Sequence, residues 1–216
     1  MSGDTKAPEP FSQLAMIRAE DRGGARVITL DRAGKANALT RDMLAALDAA
    51  VAQAAAEGVA VLILTGAGKV FSAGADLEGM AQGLGHAPEW EVLSARIAAF
   101  PGLTLAALNG TLAGGAFGMV LACDLRVAVP GAEFFYPVMK RGYLPQPSDP
   151  RRLAALVGPA RAKQIILAGR RIGATEARDW GLVDLVAEDA VEAALGLAAD
   201  ALGAEGVHVR RMKAMF

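Results

Sequence analysis

The sequence predicts an α/β fold, and three observations carry that prediction. Residues 59–64 form a continuous run of aliphatic and β-branched side chains, the composition of a strand buried on both faces. Segments with apolar residues at helical spacing precede and follow it. Strand and helix signals then alternate through the first two-thirds of the chain, which gives short βαβ-like units.

Taken in order, residues 13–20 and 26–30 read as two short strands around Asp21-Arg22-Gly23-Gly24, a hairpin. Thr40 is suited to cap a helix, with Asp42 favourable in its first turn. Met43, Leu47, Val51 and Ala54 follow at helical spacing, and Gly58 closes the segment. After the strand at 59–64, the Gly-rich, polar stretch 79–88 reads as a mobile loop, and helix resumes over 89–100. Residues 103–108 are a further strand, 109–118 a glycine-rich turn, and an apolar helix reaches Ala122 before a strand at 124–129. The remainder is largely helical, with Gly158-Pro159, Gly169, Gly181 and Gly203 at helix ends. Val191, Leu195, Ala198 and Leu202 supply one apolar face of a last long helix. The chain shows no internal repeat, coiled coil or low-complexity tract.

At 216 residues, 53% of them apolar and few of them aromatic, the chain suits one sizeable, closely packed core. The formal net charge of −1 gives no reason to expect a nucleic-acid or membrane-surface partner. A single cysteine, Cys123, lies in an apolar run and reads as a buried small hydrophobe in a reducing compartment. The N-terminus has no apolar signal core, and no uncharged apolar stretch reaches the roughly 18–20 residues a membrane span needs. Cytoplasm is the expected location. Neither His-rich nor Cys-rich spacing is present, so no metal or redox cofactor is expected.

Two glycine-rich turns, each after a predicted strand, carry the chemistry. One is Phe71-Ser72-Ala73-Gly74-Ala75-Asp76-Leu77. The other is Asn109-Gly110-Thr111-Leu112-Ala113-Gly114-Gly115-Ala116-Phe117-Gly118, which runs into Cys123-Asp124-Leu125-Arg126-Val127-Ala128. Small residues there let backbone amides approach a ligand closely, and two converging amides make a site for a developing oxyanion. With Lys35-Ala36-Asn37-Ala38-Leu39 and Ala177…Trp180-Gly181-Leu182-Val183-Asp184, these segments resemble the enoyl-CoA hydratase/isomerase (crotonase) family in order and spacing over residues 13–213.

The resemblance implies a ββα spiral core, assembled as a homotrimer or a dimer of trimers. It divides the chain into a flexible segment (1–12), an acyl-CoA-binding core (13–187) and a C-terminal helical region (188–216) shorter than is usual in the family. It further implies an acyl-CoA thioester as substrate, with coenzyme A as part of that substrate and no separate cofactor. The backbone amides of Ala75 and Gly115 would form the oxyanion hole. Lys35, Ala36, Ala38, Ala73, Asp76, Leu77 and Gly114 would line the substrate path, with Lys69 near the coenzyme A phosphates. Asp76 reads equally as a helix N-cap that orients the Ala75 amide, and Lys69 equally as a solvated loop lysine.

The sequence departs from the family at the acids. A hydratase needs two carboxylates on one substrate, one to activate water and one to protonate the α-carbon. The matching positions here are Gly118 and Val138, which carry no titratable group. A glycine inside a helix costs about 1 kcal/mol relative to alanine, so Gly118 reads as space left for a bulkier acyl group. Tyr143, Gln146 and Asp149, in the loop after Val138, are the polar groups available to the acyl pocket, while His86, Glu89 and Glu91 flank the loop at 79–88. The expected activity is isomerase or decarboxylase chemistry rather than hydration. A catalytically inactive acyl-CoA-binding or scaffold protein is the alternative.

Two other readings fit poorly. Thr65-Gly66-Ala67-Gly68-Lys69 resembles a phosphate loop, but Val70 replaces the required hydroxyl residue and no glycine opens the motif. Ser72 lacks the glycine two residues before it that a nucleophile elbow needs.

Overall fold

The computed structural model describes residues 16–216; the segment 1–12 and the start of the first predicted strand lie outside them. Among the described residues ten strands build two sheets. They are β1 (Ile17–Arg22), β2 (Ala25–Leu30), β3 (Val61–Gly66), β4 (Val70–Ser72), β5 (Leu103–Leu108), β6 (Thr111–Ala113), β7 (Leu125–Ala128), β8 (Glu133–Phe135), β9 (Ile172–Gly173) and β10 (Leu185–Val186). The larger sheet has the order β1-β2-β3-β5-β7-β10 and is parallel except for the β1–β2 hairpin. The smaller has the order β4-β6-β8-β9, with β9 antiparallel. Three times a strand of the first sheet (β3, β5, β7) is followed after a few residues by a strand of the second (β4, β6, β8), and then by helix. That is the expected ββα spiral.

Local chemistry accounts for the main elements. The hairpin turns on Gly23 and Gly24 alone, with φ of +58° and +86°, so β1 runs through Asp21 and Arg22, which the sequence assigned to the turn. Thr40 accepts a hydrogen bond from Met43 N at 3.2 Å and caps α1 (Arg41–Ala56). Met43, Leu44, Leu47 and Val51 of α1 are buried, each contributing roughly 1.5–3 kcal/mol of apolar burial.

Alternation along the larger sheet separates two packed faces. Ile28, Leu30, Leu62, Leu64, Ala106 and Leu108 face the main core with α1 and α3 (Glu89–Ala98). Val27, Val61, Ile63, Leu105, Ala107 and Val127 face a second cluster closed by Ala190, Ala194 and Ala198. The continuous apolar run therefore reflects burial on both sides.

The structure corrects several sequence expectations. Residues 79–88 are not a featureless loop. They hold the end of α2 (Leu77–Ala81) and a helical turn at Leu84–His86, because Asp76 caps α2 and the side chain of Leu84 is buried. The 109–118 turn contains β6, a helical turn at Gly114–Ala116 and the start of α4 (Phe117–Leu121). The expected last long helix is broken at Ala198, where φ −89° and ψ 2° separate α9 (Ala190–Leu197) from α10 (Ala199–Gly203). The helix expected over 89–100 is α3 (Glu89–Ala98). The helices between α4 and α9 are α5 (Val138–Arg141), α6 (Asp149–Val157), α7 (Pro159–Ile166) and α8 (Ala174–Trp180), and α11 (Gly206–Lys213) follows α10. No helix among the described residues is long and apolar enough to cross a membrane.

A buried asparagine ties the loops together. Asn37 is 0% exposed and sits at φ +51°, next to Ala36 at +49°. Its Oδ1 accepts from Arg32 N at 2.9 Å, and its Nδ2 donates to Ala67 O at 2.9 Å and Val70 O at 2.8 Å. Ser72 Oγ donates to Asn37 O at 2.8 Å and accepts from Gly74 N at 3.1 Å. These bonds hold a left-handed pair that otherwise carries a strain of order 1–3 kcal/mol per residue. Asn37→Ala removes the partner of Arg32 N and of Ala67 O and leaves Val70 O with only the longer 3.4 Å bond from Asn109 Nδ2, and denaturant unfolding is expected to show a loss of about 3 kcal/mol.

Candidate active site

A cavity of about 590 Å³ opens where the two glycine-rich turns meet. Leu39 pairs with the first turn as in a parallel ladder: Leu39 N donates to Gly74 O at 2.7 Å, and Asp76 N donates to Leu39 O at 2.9 Å. Alternate peptide groups of such a strand point to opposite sides, so the Ala75 amide is turned away from Leu39. Gly115 lies in the helical turn Gly114–Ala116, where first-turn amides have no intrahelical acceptor. Neither the Ala75 nor the Gly115 amide donates to a protein acceptor among the described residues. Both residues line the cavity.

Contact between the turns requires glycine. Gly74 has φ +90°, and a Cβ there would stand 2.8 Å from Ala113 O and 3.3 Å from Gly114 Cα. Trp90 covers the second turn from above. A Cβ on Gly115 would be 3.2 Å from its ring, which is fixed by a 2.8 Å hydrogen bond from Nε1 to Leu84 O. Trp90 was not singled out in the sequence, where it reads as one apolar residue of a helix. The helical turn at Leu84–His86 meets Tyr143: a Cβ on Gly85 would be 2.7 Å from the tyrosine ring, and the His86 ring centroid lies 5.5 Å from it.

The other expected site residues divide cleanly. Lys35, Ala36, Ala38, Ala73, Asp76, Leu77, Gly114, Val138, Tyr143 and Gln146 all line the cavity. Lys69 is exposed and outside the lining. Asp76 is committed to structure: its Oδ1 caps α2 by accepting from Glu78 N and Gly79 N at 3.1 and 3.2 Å, and its Oδ2 meets Arg32 Nη1 at 2.6 Å. The Arg32 guanidinium holds its carboxyl below the usual aspartate range. Glu89 pairs with Arg41, and Glu91 accepts from Ser148 Oγ at 3.0 Å. Neither lines the cavity. Arg141, at the end of α5, joins Lys35 as a second cation in the lining, and a lone arginine in a polar loop gave no sequence signal.

Gly118 departs from its expected role. It does not line the cavity, and the space beside it is filled. A Cβ on Gly118 would be 3.1 Å from Asp149 Oδ1. Asp149 is fully buried, and its Oδ2 accepts the Tyr136 hydroxyl at 2.8 Å. Burial pushes its carboxyl up to about 7, with the charge of Glu91 adding to the effect while the Tyr136 hydrogen bond and Arg152 oppose it. The Tyr136 phenol is likewise pushed up by burial and by Asp149. Cys123 is buried and its thiol is raised to about 12, which makes it an inert packing residue. Among the described residues no three His, Cys, Asp or Glu side chains gather in a metal-binding group.

Comparison with known proteins agrees with this architecture. A sequence profile described as enoyl-CoA hydratase/isomerase matches residues 20–216. A 4-chlorobenzoyl coenzyme A dehalogenase of an Arthrobacter species is 34% identical over 205 residues, which is 90% of this chain and 74% of that one. A probable enoyl-CoA hydratase of Mycobacterium tuberculosis is 36% identical over 179 residues, covering 80% and 70% of the two chains. Among solved structures, DspI of Pseudomonas aeruginosa superposes with a TM-score of 0.87 at 31% identity, over 96% of this chain and 88% of that one. An enoyl-CoA hydratase from Bacillus anthracis does so with a TM-score of 0.85 at 32% identity, over 90% and 80%. By sequence and by fold, this chain belongs to the enoyl-CoA hydratase/isomerase family.

Proposed function

We propose that this protein is an enzyme that processes acyl-coenzyme A thioesters, holding the enolate oxygen on the amides of Ala75 and Gly115, and that its reaction is of isomerase or decarboxylase type rather than hydration. The observation that carries this reading is a pair of backbone amides, unused by the protein, in one cavity, beside the absence of a titratable group at Gly118 and Val138, the positions matched to the hydratase acids. Preorganised donors of this kind act where charge develops and need no reorganisation during the reaction.

Each part of the lining has a task in this reading. Lys35 and Arg141 supply positive charge for coenzyme A phosphates, and Ala36 and Ala38 leave room for its adenine and pantetheine arm. Trp90, Val138 and Phe135 keep the thioester end apolar, which strengthens the amide–oxyanion interaction. For a thioester carrying an α-carboxylate, the C–C electron pair moves toward the thioester as carbon dioxide leaves. The carbonyl oxygen takes the charge at the two amides, and no general base is needed to reach the enolate. Hydration needs a separate acid and base on one substrate, and glycine at 118 and valine at 138 supply neither.

Incubation with a pool of acyl-CoA thioesters in deuterated buffer, malonyl-type ones included, tests the reading by chromatography and mass spectrometry. A new product, or deuterium at the α-carbon, is the expected result. Binding of thioesters without any change at high protein concentration would identify an acyl-CoA-binding or scaffold protein instead. Gly74→Ala, which drives a methyl group into Ala113 O, is expected to lower turnover about 100-fold or more by parting the turns. Steady-state kinetics beside a thermal melt separates that loss from unfolding.

A further inference from the structure

One carboxyl group stands apart from every surface ion pair. Asp149, the first residue of α6, is 0% exposed, and its Oδ1 has no hydrogen-bond partner among the described residues. Buried carboxyl oxygens are rarely left in this state, and an exception calls for an explanation. The same Oδ1 lies 3.1 Å from where a Cβ on Gly118 would stand. A carboxyl carried by α6 therefore fills the space beside a position of α4 that carries no side chain. Its other oxygen accepts the Tyr136 hydroxyl at 2.8 Å. Tyr136 lines the cavity along with Gly115 and Val138, and its ring stacks on Phe117 at a centroid distance of 5.3 Å.

We propose that Tyr136 and Asp149 form the proton-transfer unit of this cavity, Tyr136 as the catalytic residue toward the thioester α-carbon and Asp149 as the positioning residue that stores the proton behind it. The proposal rests on the thioester-enolate reading above. In enolate formation Tyr136 O takes the α-proton while its own hydroxyl proton passes to Asp149 Oδ2. The C–H pair becomes the enolate C=C bond, and the carbonyl π pair moves onto the oxygen held by the two amides. The reverse step protonates the α-carbon from Tyr136 as Asp149 returns its proton. The negative charge moves between the Asp149 carboxylate and the enolate, and no co-reactant is consumed.

The surroundings suit a store that fills and empties near neutrality. The other charged groups near Asp149 are Glu91 of α3 and Arg152 of α6. Glu91 is engaged by Ser148, and Arg152 donates to Ser94 Oγ and Ser148 Oγ at 3.0 and 2.8 Å, so neither forms an ion pair with Asp149. The carboxyl, raised to about 7, is present in both forms at physiological pH. The raised phenol keeps free tyrosinate from accumulating, so the two protons move together.

The test is α-proton exchange of phenylacetyl-CoA and butanoyl-CoA in deuterated buffer by the full chain, with thioester binding measured in parallel by calorimetry. Exchange needs the carboxylate as final acceptor, so the wild-type rate is expected to rise through about pH 7 and level off above it. Tyr136→Phe is expected to lower exchange by about 100-fold or more with little change in binding. Asp149→Asn is expected to lower it similarly and to abolish the pH-dependent rise. Asp149→Gly combined with Gly118→Glu, which moves the carboxyl from α6 to α4, is expected to recover part of the rate. Exchange that survives in both single variants overturns the proton-transfer unit and leaves the enolate hole standing. A fall in binding equal to the fall in exchange also overturns it, by making the pair purely structural. A wild-type profile flat between about pH 5.5 and 8.5 overturns it whether or not the variants fold. Binding of both thioesters without any wild-type exchange overturns the enolate reading, and the unit with it.

Discussion

The turn after β4 and the turn after β6 meet at a point where neither carries a side chain, with Gly74 against Ala113 O and Gly114 Cα. Everything else in the site depends on that approach. It lets the Ala75 and Gly115 amides share one cavity. It also demands that three separate loops be held in register, which apolar packing, being non-directional, does poorly. Directional hydrogen bonds do it instead. Asn37 fixes the loop before α1 to the β3–β4 connection, and Asn109 reaches the same connection from the other side by accepting from Gly66 N at 3.0 Å and donating to Gly68 O at 2.9 Å. Leu39 then holds the Ala75 turn from a third direction.

The parts legible in the sequence were those with long-range periodicity or a strong local signal. The buried strand β3, the strand β5, the Thr40 cap and the two glycine turns all fall in this group. The second strand of each spiral turn was not legible. β4, β6 and β8 are three residues each, too short for alternation to stand out, and they exist because β6 pairs with both β4 and β8. The segment 79–88 looked like loop because its glycines and polar residues outnumber its apolar ones. Its order comes from tertiary contacts, Leu84 in the core and Gly85 against Tyr143, which no local pattern records.

Among site residues, the small lining positions could be placed through the family resemblance, which carries over because backbone amides and alanines are fixed by the turns themselves. Asp149 could be seen only as one polar residue of a loop. What distinguishes it is burial, and burial arises from the packing of α6 on α4. The same packing overturned the reading of Gly118 as spare room for substrate. A buried, half-paired carboxyl is expensive to keep, about 1–3 kcal/mol for the unmatched oxygen.

The meeting of Gly118 with Asp149 couples the two positions. A Cβ at 118 would stand 3.1 Å from Asp149 Oδ1, close enough that the carboxyl would have to shift. An acidic side chain at 118 would set a second carboxyl against the first in a buried place, where each disfavours the charge of the other. Residue 118 therefore cannot be varied independently of residue 149, and a substitution at either changes the surroundings of both.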